Sequence, residues 1–266
     1  MKLGFLGAGA MGGAILSGAL RADILKAEDI FVYDIDQDIR EKYKDMGCNI
    51  AESGRHLSET VDVLMICVKP QYARGSLSEL GNALEGKAVI SIMAGITTES
   101  IREMIGGSFR LLRLMPNTPA LVNEGAFALD IGTDLTDEEK AFAERLFSSI
   151  GIVEWMPESL IDTACGLSGA GPAYIYLIIE ALADGGVAKG LTRKTALNLA
   201  AQTVLGAAKM VMETGEHPGA LKDKVCSPGG NTIIGIKTLE EHGVRGALID
   251  TVVKAVERAE ELGRGR

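Results

Sequence analysis

The chain has 266 residues, 47% of them hydrophobic and 24% charged, which is enough to bury the core of one large domain or of two smaller ones. Its formal net charge of −9 at pH 7 and its lack of any basic run argue against nucleic acid as the main partner and favour a small molecule. Four scattered cysteines without a CxxC pair, and three histidines far apart in sequence, predict reduced thiols in the cytoplasm and no metal site.

Residues 3–20 form an uncharged, mostly apolar run behind Lys2, a pattern that a signal peptide or a short membrane helix shares. Six glycines interrupt this run, and glycine weakens helices. The composition therefore fits a strand, a turn and a closely packed helix better. We expect no export signal, no membrane association and a cytoplasmic protein.

The first 34 residues have the pattern of a βαβ unit. An apolar strand at 2–6 runs directly into Gly-Ala-Gly-Ala-Met-Gly at 7–12, a helical pattern covers 14–25, and a second strand at 30–33 ends at Asp34. This is the dinucleotide fingerprint in its proper context, with glycines that permit a tight turn and close approach of backbone to a pyrophosphate. The unit predicts a nicotinamide dinucleotide as cofactor.

Asp34 stands where an acidic residue selects between the two nicotinamide dinucleotides. A carboxylate here can accept hydrogen bonds from the adenosine ribose hydroxyls and would repel a 2′-phosphate, and no arginine directly follows it. We therefore predict that NADH is preferred over NADPH. In the alternative interpretation, Asp34 turns away and Asp36 merely caps a helix.

Further short strands separated by helical patterns predict a parallel, doubly wound sheet. They lie at 61–68, 88–93, 110–115 and 151–155. The last follows a helix at 136–150 that opens with Thr136 and Glu139, the spacing of a capping box. Prolines and glycines at 68–70, 94–95 and 115–119 either stop the strands or face a shared ligand groove at their carboxyl ends.

Beyond Pro157 the strand pattern ends and helices follow. The segments 173–183 and 192–213 are apolar on nearly every side, and such helices have to be buried on all sides. Two further helices are expected near 231–242 and 244–262. Because one small domain cannot easily enclose them all, we expect a homodimer of interlocking helices.

A Ser-Pro-Gly-Gly turn at 227–230 precedes an apolar segment, 233–239, whose pattern predicts a helix. Backbone N–H groups in such a turn and in the first helical turn lack intrahelical partners, which suits a carboxylate or a phosphate. Ser227 and Thr232 add hydroxyl groups. Alternatively, the glycines mark an ordinary surface turn.

Over essentially its whole length the chain resembles the pyrroline-5-carboxylate reductases. The matching stretches are GFLGAGAMG (4–12), VKP (68–70), AG (94–95), MPNTPA (115–120), LSGAGPAY (167–174), EALADGGVAKGL (180–191), QTVLGAAKM (202–210) and HPGALKDKVCSPGGNTI (217–233). The resemblance implies an α/β fold with a Rossmann-type dinucleotide-binding domain at 1–156 and an all-α dimerisation domain at 157–266. It also implies homodimers, which in this family often form a ring of five.

The implied reaction transfers a hydride from NADH or NADPH to the C=N carbon of a five-membered cyclic imine bearing a carboxylate, giving L-proline. This reaction suggests a ligand for the turn at 227–230. The N–H groups of Gly229, Gly230 and Asn231, with Ser227 beside them, suit the substrate carboxylate. By family analogy Thr232 is catalytic, orienting the ring nitrogen and relaying a proton. Glu158 matches a family position at the substrate site. In the alternative interpretation, it is a solvated loop carboxylate without a functional role.

The resemblance also carries over the cofactor contacts. They are Leu6, Gly7, Ala8, Gly9, Ala10, Met11, Val68, Lys69, Pro70, Ala94 and Gly95. Lys69 could be an acid, a Schiff-base nucleophile or a structural cation, and we favour the structural role on the cofactor side. Departures from the family pattern stand at Ala170, Asn231 and Gly54, and we expect them to affect affinity rather than reaction type.

Three other functions compete with this assignment. A β-hydroxyacid dehydrogenase would need a lysine after the domain junction, and residues 159–188 contain none. A reductase of six-membered cyclic imines differs by one methylene, which discriminates weakly. A nicotinamide-sensing regulator would bind without reacting, and it has no need of a second anion site at 227–233.

Overall fold

The computed structural model describes the backbone of residues 1–264 and the side chains of residues 1–261. It divides into two compact units, one of residues 1–170 together with those from 255 onward, and one of residues 171–254. The first is an α/β unit built on one sheet and the second is helical. The fold class expected from the sequence is therefore confirmed. The domain boundary expected after residue 156 stays a prediction.

In the described residues the first unit has one eight-stranded sheet in the order β3-β2-β1-β4-β5-β6-β7-β8. The strands are β1 Leu3–Leu6, β2 Ile30–Tyr33, β3 Asn49–Ile50, β4 Val63–Ile66, β5 Ala88–Ser91, β6 Arg110–Met115, β7 Gly125–Asp130 and β8 Gly151–Met156. Neighbouring strands are parallel except β6 and β7, which pair antiparallel. The expectation of a wholly parallel sheet was therefore wrong at that pair, and β3 and β7 were not expected.

Helices cover both faces of this sheet, which explains why β1, β4 and β5 are buried along their full length. The helices are α1 Ala10–Arg21, α2 Gln37–Asp45, α3 Gly54–Thr60, α4 Ala73–Ser78, α5 Thr98–Ile105, α6 Asp137–Ser148 and α7 Ile161–Ala164. Side chains of α1, α2 and α6 belong to one apolar core and those of α3, α4 and α5 to another. The sheet is thus doubly wound.

The predicted capping box and the predicted start of the first helix can be compared with the structure. The capping box is present: Thr136 Oγ1 accepts the Glu139 N–H at 3.3 Å, and Glu139 Oε2 accepts the Thr136 N–H at 2.9 Å. α1 begins directly after Gly9, four residues before the predicted start, and Gly9 enters it from an extended conformation. After α7 the chain makes one π-helical turn, Cys165–Gly169.

The helices that follow are α8 Gly171–Ala188, α9 Arg193–Thr214, α10 Pro218–Val225, α11 Asn231–Glu241 and α12 Val244–Arg264. α8 and α9 pack through small residues, with Ala183, Ala196 and Ala200 forming the buried cluster. Their large apolar side chains are exposed instead, including Tyr176, Leu177, Leu182, Leu197, Leu199 and Leu205. By length and composition alone, Glu158–Ala188 could cross a membrane, a test that helices of soluble proteins also pass.

Candidate active site

The glycine loop after β1 has the backbone that close approach of a ligand requires. Gly7 has φ +89 and its N–H donates to the Tyr33 carbonyl at 2.8 Å. A β-carbon on Gly12 would lie 2.6 Å from the Gly7 carbonyl oxygen, so no other residue fits there. Gly9 is the N-cap of α1 and no side chain in the described part of the chain caps it. The first N–H groups of α1 are therefore available to an anion such as a pyrophosphate.

Asp34 faces this loop. Its Oδ2 accepts the Ala8 N–H at 2.8 Å and its Oδ1 accepts the Asp36 N–H at 3.0 Å. Asp36 in turn caps α2, accepting the Asp38 N–H at 2.9 Å. Asp34 therefore does not turn away, although the expected cap by Asp36 is also present.

An arginine lies closer to Asp34 than the sequence spacing indicated. Arg40, in the first half of α2, donates from Nη1 to the Asp34 carbonyl oxygen at 2.6 Å. The two residues are six positions apart along the chain, so a search for an arginine directly after Asp34 missed it. Its guanidinium is tied to the backbone at the end of β2.

The thiol of Cys67 packs behind the loop, with its Cβ 2.9 Å from where a β-carbon on Gly12 would stand. Burial, and secondarily the nearby negative charge of Asp34, raise the pKa of the Cys67 thiol far above its usual range. The protonated thiol acts as a small apolar group that supports the loop, and it is no nucleophile.

The other expected cofactor residues follow β4, the parallel neighbour of β1, and β5, the parallel neighbour of β4. Val68, Lys69 and Pro70 come just after β4, and Lys69 is exposed at the start of a short 3₁₀ turn. Ala94 is exposed and Gly95 has φ +68 in the loop after β5. Because carboxyl ends of parallel strands meet at one sheet edge, the structure brings these residues to the edge that holds the glycine loop.

A cavity of about 310 Å³ adjoins the glycine loop between α1 and α2. Loop residues 8–10 line one side of it, and Arg21, Lys42 and Tyr43 contribute to its walls. Tyr43 is buried, and a β-carbon on Gly13 would lie 2.3 Å from its Oη. Glycine at position 13 thus lets α1 and α2 approach each other beside the loop, a contact that sequence reasoning missed.

Glu158 makes contacts other than those expected of a substrate ligand. Its Oε1 accepts the Thr98 N–H at 2.7 Å and a hydrogen bond from Arg113 Nη1 at 3.3 Å. Arg113 lies on β6, is 1% exposed, and also donates from Nη2 to Asp162 Oδ1 at 2.7 Å. Glu158 is therefore not the solvated loop carboxylate of the alternative interpretation, because Thr98 and Arg113 bind its carboxylate. The signal that could have pointed here is a charged residue inside the apolar strand 110–115.

Asn117, in the segment 115–120, is a second buried polar residue that sequence reasoning did not single out. Its Oδ1 accepts the Ala126 N–H at 2.9 Å, and its Nδ2 donates to the Ser168 carbonyl at 3.1 Å. The side chain thus joins the start of β7 to the π-helical turn. The segment 115–120 therefore has a structural role in the first unit.

In the helical unit, the expected turn is present and its geometry is well defined. The Gly230 N–H donates to the Ser227 carbonyl at 3.0 Å, and Gly229 has φ +67, which favours glycine. A β-carbon on Gly230 would lie 2.3 Å from Ser227 Oγ, so a larger residue there would displace the Ser227 hydroxyl. Gly230 is the N-cap of α11, and no side chain among the described residues caps it.

Two expectations about this turn need correction. α11 begins at Asn231, not at Ile233, because Gly230 ends the turn in an extended conformation that leads directly into the helix. The Gly230 N–H, expected to be free for a ligand, closes the turn instead. The N–H groups that lack intrahelical partners are those of Asn231, Thr232 and Ile233. The Thr232 side chain is half-buried and that of Asn231 is exposed.

The structure thus gathers the expected site residues into two sets. The cofactor residues and Glu158 belong to the first unit, whereas Ser227, Gly229, Gly230, Asn231 and Thr232 belong to the helical unit. Among the described residues, no group of three or more His, Cys, Asp or Glu side chains is placed to hold a metal ion.

Comparison with known proteins covers both units. Residues 158–262 match the family model for pyrroline-5-carboxylate reductase dimerisation, and residues 2–95 match that of NADP oxidoreductase, coenzyme F420-dependent. Pyrroline-5-carboxylate reductase of Methanosarcina acetivorans is 44% identical over 99% of this chain and 98% of its own. The Escherichia coli K12 enzyme of the same name is 41% identical over the same shares of the two chains.

Solved structures agree with these matches. The pyrroline-5-carboxylate reductase of Coxiella burnetii superposes with a TM-score of 0.91 at 37% identity, covering 98% of both chains. The Plasmodium falciparum pyrroline carboxylate reductase, solved with NADP bound, gives a TM-score of 0.89 at 35% identity over 99% of this chain and 98% of that one.

Proposed function

The chain belongs to the pyrroline-5-carboxylate reductase family, and from this we propose that it reduces 1-pyrroline-5-carboxylate to L-proline with NADH or NADPH. Among features of the site, the turn at 227–230 carries the proposal, because a glycine loop is common to many dinucleotide enzymes whereas this turn supplies a second anion site. The substrate and the cofactor are both anionic, so the reaction needs two such sites.

On the cofactor side, the residues present fit a dinucleotide. A β-carbon on Gly9 would meet no atom of the described chain within 4 Å apart from its chain neighbours, which leaves room for a pyrophosphate beside the loop, and the uncapped start of α1 offers N–H donors at Ala10 and Met11. When bound, the nicotinamide supplies the hydride. The loops 68–70 and 94–95 are proposed to hold the remainder of the cofactor, with Lys69 as a structural cation on this side.

On the substrate side, we propose that the N–H groups of Asn231, Thr232 and Ile233 bind the carboxylate of the imine. Ser227, Gly229 and Gly230 shape the turn that presents them. The Thr232 hydroxyl orients the ring nitrogen and passes a proton to it. That nitrogen becomes more basic as the hydride arrives at carbon, so a strong acid is not required. Holding two reactants in place can lower a barrier by as much as ~7–11 kcal/mol.

Glu158 is the one expected substrate residue whose contacts support a different role, argued in the next subsection. For cofactor choice, we propose a preference for NADH. Asp34 presents a carboxylate at the end of β2 beside the glycine loop, where it would repel a 2′-phosphate. Arg40, the nearby cation, is already engaged with the Asp34 carbonyl.

The proposal extends to assembly and location. The exposed apolar side chains of α8 and α9 and the match to a dimerisation model over 158–262 support a homodimer. The start of that match also supports a domain boundary between residues 156 and 157. A ring of five dimers and a cytoplasmic location are proposed from the family resemblance.

The test is a steady-state assay of the purified protein with pyrroline-5-carboxylate and each cofactor. We expect oxidation of the cofactor that depends on the imine and yields L-proline, with a higher kcat/KM for NADH. A protein that binds cofactor without oxidising it would be a sensor. A higher kcat/KM for the six-membered imine would assign the other reductase activity.

A further inference from the structure

We infer that Glu158 is a positioning residue for the 94–97 loop, held by the buried Arg113 and acting through the backbone of Thr98. This inference rests on the proposed function, in which Ala94 and Gly95 contact the cofactor. It adds to that function three residues, Thr98, Arg113 and Glu158, that set where the loop lies.

The anchor of the arrangement is Arg113. Its guanidinium is 1% exposed on β6, and a buried charge of this kind is tolerated only when it is paired. Two carboxylates pair it, Glu158 Oε1 at 3.3 Å and Asp162 Oδ1 at 2.7 Å. Both lie on the segment that follows β8, so the cation ties this segment to the sheet.

The second contact of Glu158 reaches the cofactor side. Thr98 is the first residue of α5, and its N–H is one of the helix-start donors without an intrahelical partner. Glu158 Oε1 accepts that N–H at 2.7 Å, where an anion also interacts favourably with the helix dipole. Residues 92–97 connect β5 to α5, so the loop 94–97 directly precedes Thr98. The position of the Glu158 carboxylate therefore fixes one end of this loop.

The network is not fully satisfied, which argues against a purely stabilising role. Among the described residues, Arg113 Nε and Thr98 Oγ1 are buried and have no hydrogen-bond partner. Buried polar atoms without partners cost stability, and apolar packing at the same place would avoid that cost. An arrangement kept despite such a cost is expected to serve the site beside it.

The first test compares Glu158→Gln with Asp162→Asn. Both variants remove one negative charge from Arg113, but only Glu158 contacts the loop through Thr98. We expect Glu158→Gln to raise the Kd of NADH and of NADPH, each titrated alone, about fivefold or more, since a charged acceptor binds an N–H more tightly than a neutral one. Asp162→Asn should leave these constants within about twofold even where it lowers the unfolding temperature.

The second test removes the other half of the contact. Thr98→Pro deletes the N–H at the first helical position, where proline is well tolerated, and Thr97 already has the extended conformation that precedes proline. Thr98→Ala keeps the N–H and removes only the unpartnered hydroxyl. We expect Thr98→Pro to weaken cofactor binding as Glu158→Gln does, and Thr98→Ala to leave it unchanged.

The outcomes separate the possible roles. Unchanged cofactor Kd values in both Glu158→Gln and Thr98→Pro would overturn the inference. An increase in cofactor Kd in Asp162→Asn as large as that in Glu158→Gln would also overturn it. A raised KM for the imine with unchanged cofactor binding would make Glu158 a substrate ligand instead. If the wild-type protein binds neither NADH nor NADPH, the proposed function itself fails, which is a result distinct from normal binding in all four variants.

Discussion

The carboxylate of Asp34 accepts a hydrogen bond from the backbone N–H of Ala8, with 2.8 Å between Oδ2 and N. The residue that is proposed to select the cofactor therefore also holds the glycine loop. Cofactor preference and loop geometry are coupled through one side chain.

From this coupling we predict that Asp34→Ala lowers kcat/KM for NADH by about tenfold or more, the effect of losing hydrogen bonds to a charged group. The value for NADPH should fall less, because the repulsion of a 2′-phosphate is removed as well. The matched control is Asp36→Ala, which deletes the cap of α2 and should cost about 1 kcal/mol of stability without altering the cofactor ratio. An unchanged ratio in Asp34→Ala would refute the selection role.

The contact between Gly13 and Tyr43 gives a prediction about stability. A β-carbon in Gly13→Ala would meet Tyr43 Oη at 2.3 Å and the Ala8 carbonyl at 3.1 Å, so α1 or α2 has to move. We expect a loss of about 1–3 kcal/mol in unfolding free energy, measured by denaturant titration. Adding Tyr43→Phe removes the nearer atom and should recover part of this loss. A double variant no more stable than Gly13→Ala would contradict the contact.

Thr232→Ala is expected to lower kcat by about 10²-fold, in the range of a lost proton-transfer or orienting group, with little change in cofactor Kd. Thr232→Ser should retain most of the turnover. The matched control is Thr238→Ala in the same helix, because Thr238 is exposed and its hydroxyl donates to the Ile234 carbonyl of its own helix. Normal turnover in Thr232→Ala would remove this residue from the mechanism.

The apolar surface of α8 predicts the effect of a charge placed there. Leu177 is 67% exposed in the single chain, and in a dimer of interlocking helices it would be buried. Leu177→Glu should therefore yield monomers, measured by light scattering after size-exclusion chromatography. Ile131→Glu is the control, since Ile131 is 62% exposed in the first unit. Equal dissociation by both substitutions, or by neither, would count against α8 as the interface.

The Arg110–Glu139 pair predicts a pH-dependent contribution to stability. The hydrogen bond from Arg110 holds the pKa of the Glu139 carboxyl below its ordinary value of 4.5. A carboxyl whose pKa is lower in the folded state stabilises the fold above its unfolded pKa and loses that effect as the pH falls through the lower, folded value. Glu139→Gln should thus cost about 1–2 kcal/mol at pH 7 and progressively less below about pH 4.5.

Urea unfolding at a series of pH values measures this difference. The neighbouring variant Glu138→Gln serves as control, because the Glu138 side chain is exposed. A penalty for Glu139→Gln that stays constant down to pH 3 would show that the charge of Glu139 is not responsible.

Elements with strong local signals could be predicted from the sequence. The strands 30–33 and 110–115 have the predicted bounds, and the capping box of α6 forms as its spacing indicates. β7 was missed because Gly125–Asp130 is buried nearly throughout, so it lacks the alternation of a half-buried strand, and its antiparallel pairing depends on β6.

Contacts between residues that are far apart in sequence limit how much of the site can be predicted from the sequence. Arg113 meets Glu158 and Asp162 at separations of 45 and 49 residues, which no local pattern reveals. The turn at 227–230 could be located but its donors could not, because the N–H of Gly230 is consumed by the turn's own hydrogen bond. Spacing indicates where an anion site lies, and backbone geometry decides which atoms form it.

The small cluster of Ala183, Ala196 and Ala200 between α8 and α9 has a thermodynamic consequence. Three alanines bury little apolar area, so these helices contribute little folding free energy on their own. Most of the stabilisation would then come from association, which makes the unfolding temperature rise with protein concentration. A newly synthesised chain would thus complete its fold in a bimolecular step, at a rate set by how many copies are present.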